Sequence, residues 1–328
     1  FDHAHTTSGW TKSSTASFLS SLHHSVLGGY TTNGDQIPSR VHTLAQRAHD
    51  EGYQTATFTS NPFAGSLSGL ERGVDVFRDR GAAVNSASSV ELHEQFWRWR
   101  ADWPGEPYLV HFQTTDVHEP HLPVSPFAGT WVSPERRTLF EQWWKELHAT
   151  PIEYDTVLAR YQHRLDAMGV DRRSFFETQR DLYDETMAHN DHQLGIFVDE
   201  LKRRGEWERT LLIVTADHGH PAGSFSRFGR GLVDPQPDDW EGALADSHRS
   251  HVPLLMTWPG HVPAGVRIDE RVSLIDLLPT VLDLSALPPA EVRQGASLAP
   301  LIRGEPWTAR PVVLDHFQAH APSCQLVG

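Results

Sequence analysis

Short, almost continuously apolar runs alternate with helix-like patterns along this chain. Four runs have this character: residues 55–59, 108–112, 211–215 and 252–257. Apolar residues at helical spacing occupy residues 41–48 and 194–201. Strands without a polar face are buried on both sides, which is typical of a mostly parallel sheet covered by helices. The pattern therefore predicts an α/β fold, a three-layer αβα sandwich.

Two other stretches predict how the chain is divided. A stretch rich in Trp, Arg and Glu at about residues 125–180 breaks the alternation and predicts a helical insertion. Residues 260–328 predict a smaller C-terminal α+β part of the same domain, with a helix from Asp276 to Leu284. The main α/β domain is therefore predicted to span residues 1–259.

Composition excludes several classes of protein. The formal net charge of -14 over 328 residues argues against a nucleic-acid-binding face. No apolar run approaches the roughly 18 residues of a membrane helix, so no membrane span is predicted. The single cysteine, Cys324, excludes an internal disulfide and a cysteine-based metal site. Compartment and oligomeric state leave no signal, whereas 21 histidines direct attention to imidazole chemistry.

Carboxylate and imidazole side chains follow two of the predicted strands. Asp217 and His218 come directly after the run at 211–215, and Asp116 and His118 follow the run at 108–112. Taken singly, each pair has an ordinary interpretation as a turn cap or an exposed loop histidine. Because ligands bind at the carboxyl ends of parallel strands, two such ends favour a functional site.

A third feature is the hydroxyl-rich turn that leads into a helix at residues 10–19. Ser13 or Ser14 is predicted to cap this helix. The positive end of a helix attracts tetrahedral oxyanions such as sulfate or phosphate. An ordinary serine-capped helix is the alternative.

These features resemble the sulfatase family of the alkaline-phosphatase superfamily, and they occur in the family's order. The matching segments are residues 11–17 for the nucleophile motif C/S-x-P-S-R-A-S, 116–120 for the D-x-H-x-P loop, 210–219 for the strand ending in D-H-G, and 273–282 for the helix S-x-x-D-x-x-P-T-x-L. Several of these motifs are weak alone. Their series is specific to the family.

The resemblance implies a role for particular residues. Thr11 would be the attacking oxygen, His118 would contact the ester or protonate its leaving oxygen, and Asp217 with His218 would hold one divalent metal ion. Such oxygen-rich ligands suit Ca²⁺, Mg²⁺ or Mn²⁺, with Zn²⁺ as the alternative. The predicted substrate-binding residues are Lys12, Asn61, Asp116 and His248. The substrate would be a small-molecule, glycan or lipid ester.

The chain also departs from the family pattern. The family's first strand, which bears one or two acidic metal ligands upstream of the nucleophile, is missing from this sequence. We expect that either the chain is a fragment or its metal site is incomplete. Thr11 cannot become the formylglycine of typical sulfatases, Thr15 replaces an arginine, and Ser60-Asn61-Pro62 replaces Lys-x-His. These changes favour a phosphate ester or diester over a sulfate ester. A phosphoglycerol- or phosphoethanolamine-type transferase and a catalytically silent binding domain are the alternatives.

Overall fold

A computed structural model of the chain describes residues 1–28, 35–79, 87–104, 107–149, 163–219, 250–318 and 321–327. The described residues form a mixed α/β fold, which confirms the predicted class. The α-helices are α1 (Thr11–Ser20), α2 (Leu44–Asp50), α3 (Ser89–Asp102), α4 (Pro134–Leu147), α5 (Arg172–Arg203), α6 (Leu277–Leu284) and α7 (Ala299–Ile302). The strands are β1 (His3–His5), β2 (Gln54–Thr59), β3 (Val76–Arg78), β4 (Tyr108–Gln113), β5 (Leu212–Thr215), β6 (His251–Val252), β7 (Leu254–Thr257), β8 (Arg271–Ser273), β9 (Val312–Gln318) and β10 (Ala321–Val327).

The described residues fall into two compact units. The first contains residues 1–115, 197–219 and those from 250 onward, and the second contains residues 116–196. The domain boundary predicted between residues 259 and 260 stays a prediction. Each unit is described separately below.

Strand β2 is the centre of one sheet in the first unit. It pairs in parallel with β3 and β4, and Phe58 lies opposite Phe112. Strand β5 pairs antiparallel with β7. The sequence predicted burial on both faces for β2, β4, β5 and β7, and this is wrong for β4, β5 and β7, which are partly exposed. The reason is that each of them pairs along only one edge within the described part of the chain.

Local sequence explains where α2 begins. The helical spacing predicted a start near residue 41, but the helix starts at Leu44 because Thr43 caps it. The Thr43 hydroxyl accepts the Gln46 N–H at 3.3 Å, and the Gln46 side chain accepts the Thr43 N–H at 3.1 Å. This reciprocal capping box satisfies two N–H groups that the helix itself leaves unpaired.

Helix α6 forms part of the core that supports the strand ends of the first unit. Its Leu278 and Leu282 are buried in a cluster against which Leu109 of β4 and Ile213 of β5 also pack. Because β4 and β5 lie on one cluster, α6 fixes both strands relative to the same apolar support. The helix predicted over residues 276–284 is confirmed within one residue.

The second unit has its own core between α4 and α5. Phe140, Phe175 and Leu182 are almost fully buried there, and the Phe140 and Phe175 rings lie 5.0 Å apart between centroids. Both helices carry polar residues on their outer faces. No helix among the described residues is both long enough and apolar enough to cross a membrane.

A row of histidines lies on the sheet of β1, β6 and β8. His5 is 5% exposed, and its ring lies 5.4 Å from that of His251 on the paired strand. Burial, together with the nearby charges of His251, Arg271 and His3, lowers the pKa of His5 to about 4. The folded protein therefore holds His5 in its neutral form.

We expect the free energy of unfolding to fall as the pH drops from about 6.5 to about 4. In this window the unfolded chain takes up a proton at His5 that the folded protein excludes, so acid favours unfolding. The pKa difference corresponds to a loss on the order of 3 kcal/mol. Urea unfolding at pH 7 and pH 4.5 measures the effect. His5→Gln should lose less stability than the wild type, whereas the exposed His261→Gln should match it.

Candidate active site

Thr11 is the first residue of α1 and is 4% exposed. Trp10, not Ser13 or Ser14, occupies the N-cap position, so the predicted serine cap is wrong. The physical reason is that both serines bond elsewhere: the Ser13 hydroxyl donates to Ser8 Oγ at 2.6 Å and the Ser14 hydroxyl to a carbonyl oxygen outside the helix. The positive end of the helix dipole therefore lies at Thr11.

Ser14 joins α1 to the end of β5. Its hydroxyl donates to the carbonyl oxygen of Asp217 at 2.5 Å, and its oxygen lies 2.6 Å from Thr6 Oγ1. Thr6 and Ser14 are both essentially inaccessible to solvent. A buried hydroxyl that is fully bonded holds its partners in one arrangement. Asp217 is therefore fixed to the helix that carries Thr11.

The Thr11 hydroxyl lies against the imidazole of His218. Thr11 Oγ1 is 3.3 Å from His218 Nε2, although 207 residues separate them in the sequence. His218 Nδ1 is 2.8 Å from the carbonyl oxygen of Gly219. A carbonyl can only accept, so Nδ1 carries the proton and Nε2 presents a lone pair to Thr11 in the neutral ring.

Asn61 contacts the Thr11 hydroxyl from another strand end. It follows β2, and its Nδ2 group donates to Thr11 Oγ1 at 3.4 Å. The orientation of the amide is fixed because Asn61 Oδ1 accepts the Phe63 N–H at 3.0 Å. The predicted substrate-binding residue Asn61 therefore lies beside the predicted nucleophile.

Lys12 follows Thr11 and is fully buried in α1. Burial lowers the pKa of its ammonium group, and the opposite charge of Asp35 acts in the other direction. The predicted role of Lys12 in substrate binding stays a prediction.

Asp217 and His218 place possible metal ligands beside Thr11. Asp217 Oδ2 lies 3.7 Å from His218 Nε2, and Asp217 Oδ1 accepts a hydrogen bond from the backbone N–H of His218 at 3.0 Å. Neither the Asp217 carboxylate nor the unprotonated His218 Nε2 carries a hydrogen, so these two groups cannot hydrogen-bond to each other. A cation bound beside the Thr11 hydroxyl would interact favourably with both. These residues fit part of a coordination shell. Among the described residues, no group of three or more His, Cys, Asp or Glu side chains could hold a metal.

Three predicted site residues lie outside the described part of the first unit. Asp116 and His118 belong to the second unit. His118 Nδ1 donates to the carbonyl oxygen of Glu119 at 2.8 Å, which gives its Nε2 the same acceptor character as that of His218. His248 lies outside the described residues. The roles of these three residues stay predictions.

Sequence reasoning missed two residues of this region. The sequence pattern predicts Ser14 only as a helix cap, although its position three residues after Thr11 places both residues on one helix face. His111 on β4 is predicted only as part of an apolar strand. Burial lowers the pKa of His111 to about 4, against the opposing effect of the Asp217 carboxylate, so its ring is neutral at neutral pH. A histidine inside an otherwise apolar run is the signal that could have identified it.

Comparison with known proteins identifies the family. The sulfatase family model matches residues 1–286. The chain belongs to the sulfatase family. This confirms the family that the order of the motifs predicted.

The individual proteins to which this chain is similar have low sequence identity to it. The chain is 31% identical to arylsulfatase K of Danio rerio over 158 residues, which is 48% of this chain and 26% of that protein. The match thus spans about a quarter of the relative's length. The solved phosphonate monoester hydrolase of Silicibacter pomeroyi is similar with a TM-score of 0.67 at 18% identity, covering 96% of this chain and 72% of that one. A structure solved with D-glucosamine-2-N,6-O-disulfate as its substrate has a TM-score of 0.67 at 15% identity, covering 98% and 77%.

Proposed function

We propose that this sulfatase-family chain carries the nucleophile of a metal-dependent hydrolase that cleaves a sulfate or phosphate ester. The observation that carries the proposal is the contact of Thr11 Oγ1 with His218 Nε2 at 3.3 Å, at the positive end of α1 and beside Asp217. A hydroxyl, possible metal ligands beside it and an oxyanion-binding helix start are what a metal-assisted two-step displacement requires.

The reaction begins with attack of the Thr11 oxygen on the sulfur or phosphorus. The bond to the leaving oxygen breaks, and a covalent ester of Thr11 forms. His218 Nε2 and Asn61 Nδ2 both contact the Thr11 oxygen and hold it in place for this attack, and the Thr11 proton is released to solvent. Water then hydrolyses the Thr11 ester, so that two displacements leave the configuration at the central atom retained.

Asp217 and His218 would hold the metal ion. When bound, a divalent cation would polarise the ester and lower the pKa of the Thr11 hydroxyl. His218 Nε2 would then be a metal ligand, so the Thr11 proton would pass to solvent water. Asp116, Lys12 and His248 are proposed to bind the substrate, and His118 to protonate the leaving oxygen, from the family resemblance alone.

Phosphate diesters are the preferred substrate class in this proposal. Threonine cannot form the formylglycine of typical sulfatases, and Asn61 stands where the family has a basic segment. The solved structures similar to this chain include a phosphonate monoester hydrolase and a complex with a glucosamine disulfate, and these supply further substrates to test.

Paired assays test the proposal. The protein is incubated with an aryl phosphodiester, an aryl sulfate and glucosamine sulfate in the presence of Ca²⁺, Mg²⁺ or Mn²⁺. We expect the phosphodiester to turn over fastest. Faster turnover of either sulfate would reassign the substrate class, and no turnover together with no metal binding would support the catalytically silent binding domain.

A further inference from the structure

Helix α5 buries a polar face within the second unit. Its Thr178, Gln179, Asp181, Glu185 and His189 are each at most 6% exposed. Burying so many polar groups is costly unless they have partners. The partners therefore indicate what this face of the helix holds in place.

Thr178 and Asp181 accept hydrogen bonds from Arg136 of α4, and the partners of the other residues lie in the segment that begins with the D-x-H-x-P loop. The Glu185 carboxylate accepts three backbone N–H groups, those of Gly129, Trp131 and Val132. Gln179 Nε2 donates to Glu119 Oε2 at 3.4 Å. The Tyr183 ring meets the His121 ring edge-on, 5.3 Å between centroids. The polar face of α5 thus holds residues 119–132.

His189 extends this attachment to the first residue of the loop. Its Nε2 lies 3.8 Å from Asp116 Oδ1, and both side chains are 8% exposed. The Phe127 ring stands edge-on to the His189 ring at 6.2 Å. His189 Nδ1 is buried and has no hydrogen-bond partner among the described residues. The Asp116 carboxylate is therefore the polar group that this buried ring contacts, and the two form an ion pair when the ring is protonated.

We propose that His189 is a positioning residue that holds Asp116, and through it the loop bearing His118, in the active arrangement. The inference rests on the proposed function, because the roles of Asp116 and His118 in turnover are part of it. His118 Nδ1 is bonded to the Glu119 carbonyl, so the backbone of this loop sets the direction of His118 Nε2. A shift of Asp116 would turn the backbone that directs His118.

A double-mutant cycle tests the coupling. His189→Phe keeps a ring against Phe127 and removes the contact with Asp116, and it should lower kcat/KM about ten- to a hundredfold, because small misplacements of catalytic groups have effects of that size. Asp116→Asn should have at least as large an effect, because Asp116 is also proposed to bind the substrate. The double variant should be no worse than Asp116→Asn alone, since that change already removes the contact with His189. Losses that multiply would overturn the proposal.

A second measurement does not depend on turnover. Amide hydrogen exchange of the peptide covering residues 116–123 should speed up in His189→Phe, while exchange in α4 stays at the wild-type rate. His192→Phe is the matched control, since this exposed ring also contacts Phe127 but has no ion pair with Asp116. Loop exchange in His189→Phe equal to that of the wild type would overturn the proposal. If no ester turns over, the proposed function fails while the exchange result still decides the role of His189.

Discussion

Thr11→Val is expected to lower kcat/KM by about 10⁴-fold or more, a loss typical of removing a nucleophile. Valine keeps the branched shape of threonine in its buried position and removes only the hydroxyl that lies 3.3 Å from His218 Nε2. Thr11→Ser keeps a hydroxyl and is the matched variant, expected to retain turnover within about tenfold of wild type. Steady-state kinetics with an aryl phosphodiester measure both.

Two controls make the Thr11 result decisive. The melting temperatures of both variants should stay close to that of the wild type, because Thr11→Val keeps the branched shape of the side chain and Thr11→Ser removes only one methyl group. Mass spectrometry of the quenched reaction should find the phosphoryl or sulfuryl group on the peptide containing Thr11 in the serine variant and the wild type, but not in the valine variant. Turnover of Thr11→Val at the rate of Thr11→Ser would exclude Thr11 as the nucleophile.

Asp217→Asn and His218→Gln are expected to weaken divalent-metal binding by at least about a hundredfold. Losses of ten- to a hundredfold are already typical for residues that only orient a metal ligand, and the ligands themselves contribute more. Calorimetric titration with Ca²⁺, Mg²⁺ and Mn²⁺ measures the affinity. Turnover should be lost with a chelator and return when the preferred ion is added.

Asp199→Asn is the matched control for charge. Its carboxylate is 80% exposed on α5, so its removal changes net charge as much as Asp217→Asn does without touching the proposed site. It should bind metal as the wild type does. Equal losses in Asp199→Asn and Asp217→Asn would show that binding follows overall charge and would contradict the assignment of Asp217.

The element pattern of this chain could be read from the sequence because it depends on local rules. The apolar run at 108–112 became β4, and the helix predicted over 276–284 became α6. Their burial could not be read in the same way. Exposure of β4 depends on which strands lie beside it, and neighbours in a sheet are set by the whole topology.

The N-terminus of α1 shows how tertiary contacts override a local preference. A serine near a helix start normally caps it, and Ser13 and Ser14 met that rule. Ser14 instead bonds to the carbonyl oxygen of Asp217, which comes from a strand 203 residues away in the chain. Capping rules cannot anticipate an acceptor that only folding brings near.

The sequence by itself determined the α/β class, the strand-end carboxylate and histidine pairs and the family, because side-chain periodicity and motif order are properties of the linear chain. Only the tertiary structure decided that the hydroxyl of Thr11 meets Asn61 and His218, residues 50 and 207 positions away. It also decided that the unprotonated nitrogen of His218 faces Thr11, because the Gly219 carbonyl holds the proton of the neutral ring on Nδ1. Such distances of a few ångströms arise from packing, which the spacing of residues along a chain does not encode.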